Sequence, residues 1–341
     1  MNRMDEFLTA QYEASARKLN VARYLDGSLT HAQWQGEVKS RLRSLLGRFP
    51  EGLQPAEYRA EGPEEDLPYG TRSKLIIQTE EFLDTPAWLL QPKTMDAHTP
   101  VILCLHGHGF GSADITGVLP EPSYQKSFAA SLCQLGFIAV APELAGFGLL
   151  RLEEDILGKK ADESSCHRLS MGLISCGRTM AGVRVQQCMR VLDVIGQLFP
   201  GHPVGVMGIS GGGMIAAQLS VLDERIMAAV ISGYACTFRD SILAMHHCVD
   251  NYLPGMIEWF ELDDLLSAVA PRPMLWETGS RDPIFPQGAV FQAGISVQRC
   301  YEKLNVTNNF RIHAFDGEHE ISGLESYDFL KTHLVTSSQA L

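Results

Sequence analysis

Short, uniformly apolar runs punctuate the chain from about residue 75 onward, and longer segments of helical periodicity lie between them. The runs Leu75-Ile76-Ile77, Trp88-Leu89-Leu90, Val101-Ile102-Leu103-Cys104-Leu105, Phe137-Ile138-Ala139-Val140-Ala141, Val204-Gly205-Val206-Met207, Ala228-Ala229-Val230-Ile231 and Met274-Leu275-Trp276 predict strands buried on both faces. Helices are predicted over residues 123–135, 179–198, 214–222 and 287–304. Strand and helix alternating in this way imply an α/β fold, a mostly parallel central sheet with helices on both faces. Residues 1–50 carry no such runs and predict two helices, residues 5–24 and 30–46, stopped by Gly47 and Pro50. A Pro/Glu-rich stretch, Gly62-Pro63-Glu64-Glu65-Asp66-Leu67-Pro68, reads as a connector. The expected organisation is a helical N-terminal extension and connector over residues 1–68, then one α/β domain over 69–341. Two long intervals, residues 143–177 and 236–260, begin at strand ends, where loops of an open α/β sheet surround ligands, and are expected to roof a pocket.

With 341 residues, 45% of them hydrophobic, the chain has ample material for a core. A net charge of −12 argues against nucleic acid or an anionic membrane as partner, since both select basic surfaces. No run approaches the roughly 18 apolar residues of a membrane span, and the N-terminus lacks an apolar leader, so a cytoplasmic protein is expected. The eight cysteines are scattered without a C-x-x-C pair and are expected to be buried free thiols.

Candidate chemistry begins at Gly208-Ile209-Ser210-Gly211-Gly212, a G-x-S-x-G set between an apolar strand and an apolar helix. In a strand-to-helix elbow the serine is strained and exposed, and the residues two before and two after it pass too close for side chains. A phosphate loop would want a following lysine, which is missing, and a dinucleotide loop would follow the first strand of the sheet. After residues 101–105 comes His106-Gly107-His108-Gly109-Phe110-Gly111, small residues that let backbone N–H groups face a developing oxyanion. Gly211 N–H and His108 N–H are the expected oxyanion donors. The His106-x-His108 pair has no third ligand nearby in sequence, so no metal and no cofactor is expected.

A serine nucleophile needs a base and an orienting acid, here in the chain order Ser, Asp/Glu, His. His313 lies within the alternating run 310–315 and faces sideways, whereas His319 follows in a loop at that strand's carboxyl end and is the expected base. Asp282, in the turn after residues 273–279, is the expected acid, with Glu277 and Asp316 as competitors. For the pocket wall the candidates are Tyr252 and Trp259, from the segment 236–260 dense in aromatic and adaptable apolar groups, together with Phe110 and the 143–177 interval.

These motifs, with Ala181-Gly182-Val183-Arg184-Val185, Asp250-Asn251-Tyr252-Leu253-Pro254-Gly255 and Ala270-Pro271-Arg272-Pro273, resemble the α/β-hydrolase superfamily, in its dienelactone hydrolase and acetyl xylan esterase-like branch. The resemblance covers about residues 70–335. It implies an α/β-hydrolase fold and a serine esterase acting on a small-molecule ester, with Ser210, His319 and Asp282 as nucleophile, base and orienter. Dienelactone hydrolases proper use a cysteine nucleophile where Ser210 stands, which favours esters. Relatives carry an aromatic and an acid where this chain has Gln186-Gln187, so a contact known from them is expected to be missing. The helical extension also resembles that of C–C hydrolases acting on aromatic ketones, which keeps β-diketone or acyl-aromatic cleavage as the alternative. A non-catalytic ligand-binding relative is disfavoured by the intact Ser/Asp/His set, and a homodimer is compatible with the reading.

Overall fold

In the computed structural model, which describes residues 3–52 and 54–335, nine strands form one sheet. They are β1 (Tyr58–Leu67), β2 (Gly70–Glu80), β3 (Leu83–Pro92), β4 (Val101–Leu105), β5 (Ile138–Pro142), β6 (Val204–Ile209), β7 (Ile226–Ser232), β8 (Met274–Gly279) and β9 (Phe310–Phe315). Their order is β1-β2-β3-β5-β4-β6-β7-β8-β9. The first three strands run antiparallel to their neighbours, and every pair from β5 to β9 is parallel. β4 and β5 are buried at every position, as strands covered on both faces must be. This is the α/β-hydrolase fold. Among the described residues no helix is long and apolar enough to cross a membrane.

The expected connector is instead part of β1. Pro63 sits where the β1–β2 register slips, between Glu61 and Glu65, and the charged side chains of this edge strand are exposed. An edge strand tolerates proline and benefits from charge, so its composition imitates a linker.

The expected first helix is also divided. It runs over Arg3–Ala14 and resumes for one turn over Ala22–Leu25. Between them the chain leaves helical geometry, with Arg17 at φ 43, and donates to other backbone: Lys18 N–H to Glu258 O (3.1 Å) and Leu19 N–H to Trp259 O (2.6 Å). Long-range pairing and the burial of Leu19 and Val21 outweigh local helix propensity. The helix His31–Leu45 forms as expected, capped by Thr30, and buries Trp34, Val38 and Leu42 at four-residue spacing against the helix Gly211–Leu222. One continuous core holds these residues together with those of the sheet.

The helix expected over 123–135 is shortened to Phe128–Gln134, because Lys126 and Ser127 take left-handed conformations. That kink frees Tyr124 and Gln125 to enter the site. The long helix Met180–Leu198 is capped by the Thr179 hydroxyl. Within this helix Gln187 accepts from Ala145 N–H (3.0 Å) and donates to Thr85 Oγ1 (2.8 Å).

Candidate active site

Ser210 follows the last residue of β6 and precedes the helix Gly211–Leu222, with φ 56 and ψ −122. Its N–H donates to Ser232 O at the end of β7 (2.9 Å), and its own carbonyl accepts from Met214 N–H (2.9 Å), so the strained backbone is held from both sides. Glycine is compulsory on either flank. A Cβ on Gly208 would lie 2.3 Å from Gly212 O, and one on Gly212 would lie 2.0 Å from Leu105 O. Gly211 opens the helix, so its N–H has no acceptor within the helix and points outward at the positive end of the dipole.

His319 lies in the loop after β9, and its Nδ1–H donates to Asp282 Oδ2 (2.8 Å). The other Asp282 oxygen accepts from the N–H groups of Ile284 (2.8 Å) and Phe285 (2.9 Å), which fixes the carboxylate. Burial pushes the Asp282 carboxyl up, but the hydrogen bond and charge of His319, with these two N–H groups, outweigh it and hold it below its ordinary value. The imidazole is stacked against Tyr124 (centroids 5.5 Å apart) and Phe285 (5.7 Å). Its edge approaches Gly233, where a Cβ would stand 2.9 Å from Cε1. Nε2 is buried and makes no hydrogen bond, to Ser210 Oγ or to any other atom.

The competitors for these roles lie elsewhere. Glu277 is buried and accepts from Gly323 N–H (3.0 Å), securing the loop that carries His319. Asp316 is exposed and pairs with Arg281. His313 pairs with Ser322 Oγ (3.0 Å) and Glu325 (3.0 Å).

The loop after β4 is braced at each residue. Gly107 N–H donates to Gln125 Oε1 (2.6 Å), Leu144 N–H donates to His106 Nε2 (3.0 Å), and Tyr124 Oη donates to His108 O (2.8 Å). The His108 ring lies beside Gly211, where a Cβ would be 3.2 Å from Nδ1, and meets Phe147 edge-on. Tyr124 was not singled out in the sequence, yet it touches both His108 and His319. Burial pushes its phenol up, Asp114 adds to that, and the Ser210 hydroxyl opposes it. The signal was hidden by the predicted helix across it.

Behind His108 lies a buried cluster. Arg184 is wholly buried and donates to Asp250 Oδ2 (2.7 Å), to Cys166 Sγ (3.0 Å) and twice to Ala145 O (3.0 and 2.9 Å). His108 Nε2 stands 3.3 Å from the same Asp250 oxygen. These contacts tie together the loop after β4, the 143–177 interval and the 236–260 interval.

Of the three pocket candidates, Phe110 is exposed on the loop after β4, and Tyr252 donates to Ile242 O (3.0 Å) within its own segment. Trp259 does not join the Ser210–His319 centre. Its ring lies under Arg41 (3.5 Å) and Lys18 (4.7 Å), and its carbonyl accepts from Leu19 N–H, so it fastens the N-terminal extension. The 236–260 segment reaches the centre through His247, which packs on Phe285 (5.5 Å).

A family model described as the Abhydrolase family matches residues 32–318. The provisionally named hydrolase YtaP of Bacillus subtilis (strain 168) is 25% identical over 292 residues, 82% of this chain and 91% of its own. Among solved structures, a provisionally named acetyl xylan esterase of Bacteroides fragilis NCTC 9343 superposes with a TM-score of 0.74 at 16% identity, covering 98% of this chain and 92% of its own. A glucuronoyl esterase from Solibacter usitatus superposes with a TM-score of 0.62 at 15% identity, covering 90% and 92%.

Proposed function

The chain belongs to the Abhydrolase family, within the α/β-hydrolase superfamily, and from that premise we propose that it is a serine hydrolase of small or medium carboxylic esters, acetyl esters and lactones included. The observation that carries the reading is the Asp282–His319 pair at 2.8 Å, set beside a strained serine at a helix N-terminus. Ser210 Oγ attacks the acyl carbonyl while His319 Nε2 takes its proton. Asp282 keeps the His319 proton on Nδ1 and stabilises the imidazolium that forms. Gly211 N–H and the His108 N–H hold the oxyanion, and the same imidazolium then protonates the leaving alkoxide. Water repeats the sequence on the acyl-enzyme. Phe110 and Tyr252 border the acyl or leaving group, and an acetyl or uronoyl ester is the substrate class suggested by the names of the structural neighbours.

The test combines covalent labelling with a kinetic variant. A fluorophosphonate probe should modify Ser210, and Ser210→Ala should lose labelling and lower kcat by about 10⁴–10⁶ while folding normally. A variant keeping even a tenth of the activity would remove Ser210 from the mechanism. A panel of p-nitrophenyl esters run against an aryl 1,3-diketone separates ester from C–C cleavage.

A further inference from the structure

Four side chains from three separate segments converge behind the loop after β4. His108, Cys166, Cys248 and Asp250 each bring one ligand atom, and the four atoms lie within 4.8 Å of one another. We propose that these residues form a zinc site that fastens the loop carrying His108 to both segments roofing the centre. Zinc binding does not depend on what the chain hydrolyses; only its effect on rate rests on the esterase reading.

The donor set selects the ion. Two thiolates, an imidazole and one carboxylate suit a tetrahedral, borderline-soft cation, and exclude magnesium or calcium, which want all-oxygen shells. Ligand atoms about 2.0–2.3 Å from zinc stand roughly 3.3–3.8 Å from each other in a tetrahedron, so a small inward movement of the cluster completes the geometry.

His108 Nε2 is buried, faces this cluster and makes no hydrogen bond of acceptable geometry. A disulfide between Cys166 and Cys248 would use the two sulfurs and leave the buried His108 nitrogen without a partner. A cation uses all four groups. Charge agrees: two thiolates and a carboxylate exceed a divalent cation by one negative charge, and wholly buried Arg184, bonded to both Cys166 Sγ and Asp250 Oδ2, supplies the balancing positive one. The remaining Asp250 oxygen accepts from Asn251 Nδ2 (3.0 Å), the outer support a ligating carboxylate needs.

The consequence reaches the reacting centre. An imidazole that gives Nε2 to a metal carries its proton on Nδ1. That edge of His108 is the one beside Gly211. Zinc would therefore fix both the ring and its tautomer next to the oxyanion donors.

Full-length protein, stripped with a chelator and kept reduced, is titrated with Zn²⁺ and with Co²⁺. Wild type should bind about one ion per chain, and the Co²⁺ form should show tetrahedral d–d bands with a thiolate-to-cobalt charge-transfer band. Cys248→Ser should weaken binding at least tenfold and diminish that band, and Zn²⁺ should raise Tm in wild type but not in the Cys166→Ser/Cys248→Ser double variant. Asp250→Cys should keep the site. Stoichiometric Co²⁺ without a charge-transfer band, or affinity unchanged by Cys248→Ser, overturns the proposal. So does the pair closing to a disulfide under mild oxidation in protein that takes up no metal. None of these readouts uses ester turnover, so a failed esterase assignment would be seen separately.

Discussion

Replacing Arg184 by methionine keeps much of the side-chain volume and removes one buried positive charge. The guanidinium makes four hydrogen bonds, to Ala145 O, Asp250 and Cys166, and its cation lies 4.9 Å from the Phe147 ring centroid. Arg184→Met therefore leaves the cluster one positive charge short in a place that water cannot reach. Breaking a buried pair in this way costs about 3–5 kcal/mol, well beyond the effect of an exposed ion pair. An unfolding entropy of about 2.1 cal/mol/K per residue gives roughly 0.7 kcal/mol per degree over 341 residues, so Tm should fall by about 4–7 °C. Differential scanning calorimetry at pH 7 measures this directly. The double variant Arg184→Met/Asp250→Asn should recover at least half of the loss, because the stranded carboxylate is gone. A Tm within about 1 °C of wild type for the single variant would refute the charge argument. A double variant that is no more stable than the single one would place the loss in the Ala145 contact and in packing.

Asp282→Asn should lower kcat by about 10⁴ through the wrong His319 tautomer. Because the folded-state Asp282 carboxyl lies below its ordinary value of 3.8, its contribution to stability is present above that pH and is lost as pH falls through the lower folded value. The Tm gap between wild type and Asp282→Asn seen at pH 7 should therefore close as pH is lowered through the carboxylate range; a gap independent of pH would contradict the ion-pair account. Trp259→Ala should loosen the N-terminal extension, with faster proteolysis in residues 15–21 and a stability loss of about 3 kcal/mol, while relative kcat/KM across short and bulky esters stays within about threefold. A tenfold shift in ester preference would return Trp259 to the pocket wall.

What the sequence made legible is the part of the molecule governed by local rules. The strand runs at 101–105, 137–141 and 204–207 are apolar because both faces are covered, and the glycines around Ser210 are set by neighbouring backbone that an added Cβ would meet at 2.0–2.3 Å. His319 and Asp282 were legible as loop residues just past strand ends. What escaped was set by distant partners. β1 looked like a linker because edge strands carry charge. Arg17, Lys126 and Ser127 adopt left-handed backbone that no short pattern announces, and Trp259 spends its aromatic face on Arg41 and Lys18, more than two hundred residues earlier. The cluster around Arg184 likewise has no local signature, since its members come from residues 108, 145, 166, 184, 248 and 250.

The same division explains how the site is held. Ser210, Gly233 and Ser280 are each anchored by a hydrogen bond across adjoining strand ends: Ser210 N–H to Ser232 O, Gly233 N–H to Glu277 O, and Ser280 N–H to Phe315 O. The serine, the turn carrying Asp282 and the approach to His319 therefore inherit the rigidity of the parallel sheet, and errors in their spacing would require strands to slip. The loop after β4 and the intervals 143–177 and 236–260 extend beyond the sheet and have no such ladder. Backbone bonds hold their ends, Glu143 N–H to Pro86 O (2.8 Å) and Leu19 N–H to Trp259 O (2.6 Å), while the buried side-chain contacts of Arg184, Asp250, Cys166 and His108 are what join all three. It follows that perturbing the cluster should move the His108 N–H, proposed as an oxyanion donor, and the two intervals while leaving the Asp282–His319 pair in register. Loss of turnover with preserved fluorophosphonate labelling is the signature of that separation; simultaneous loss of both would mean that the two halves of the site are held by the same contacts.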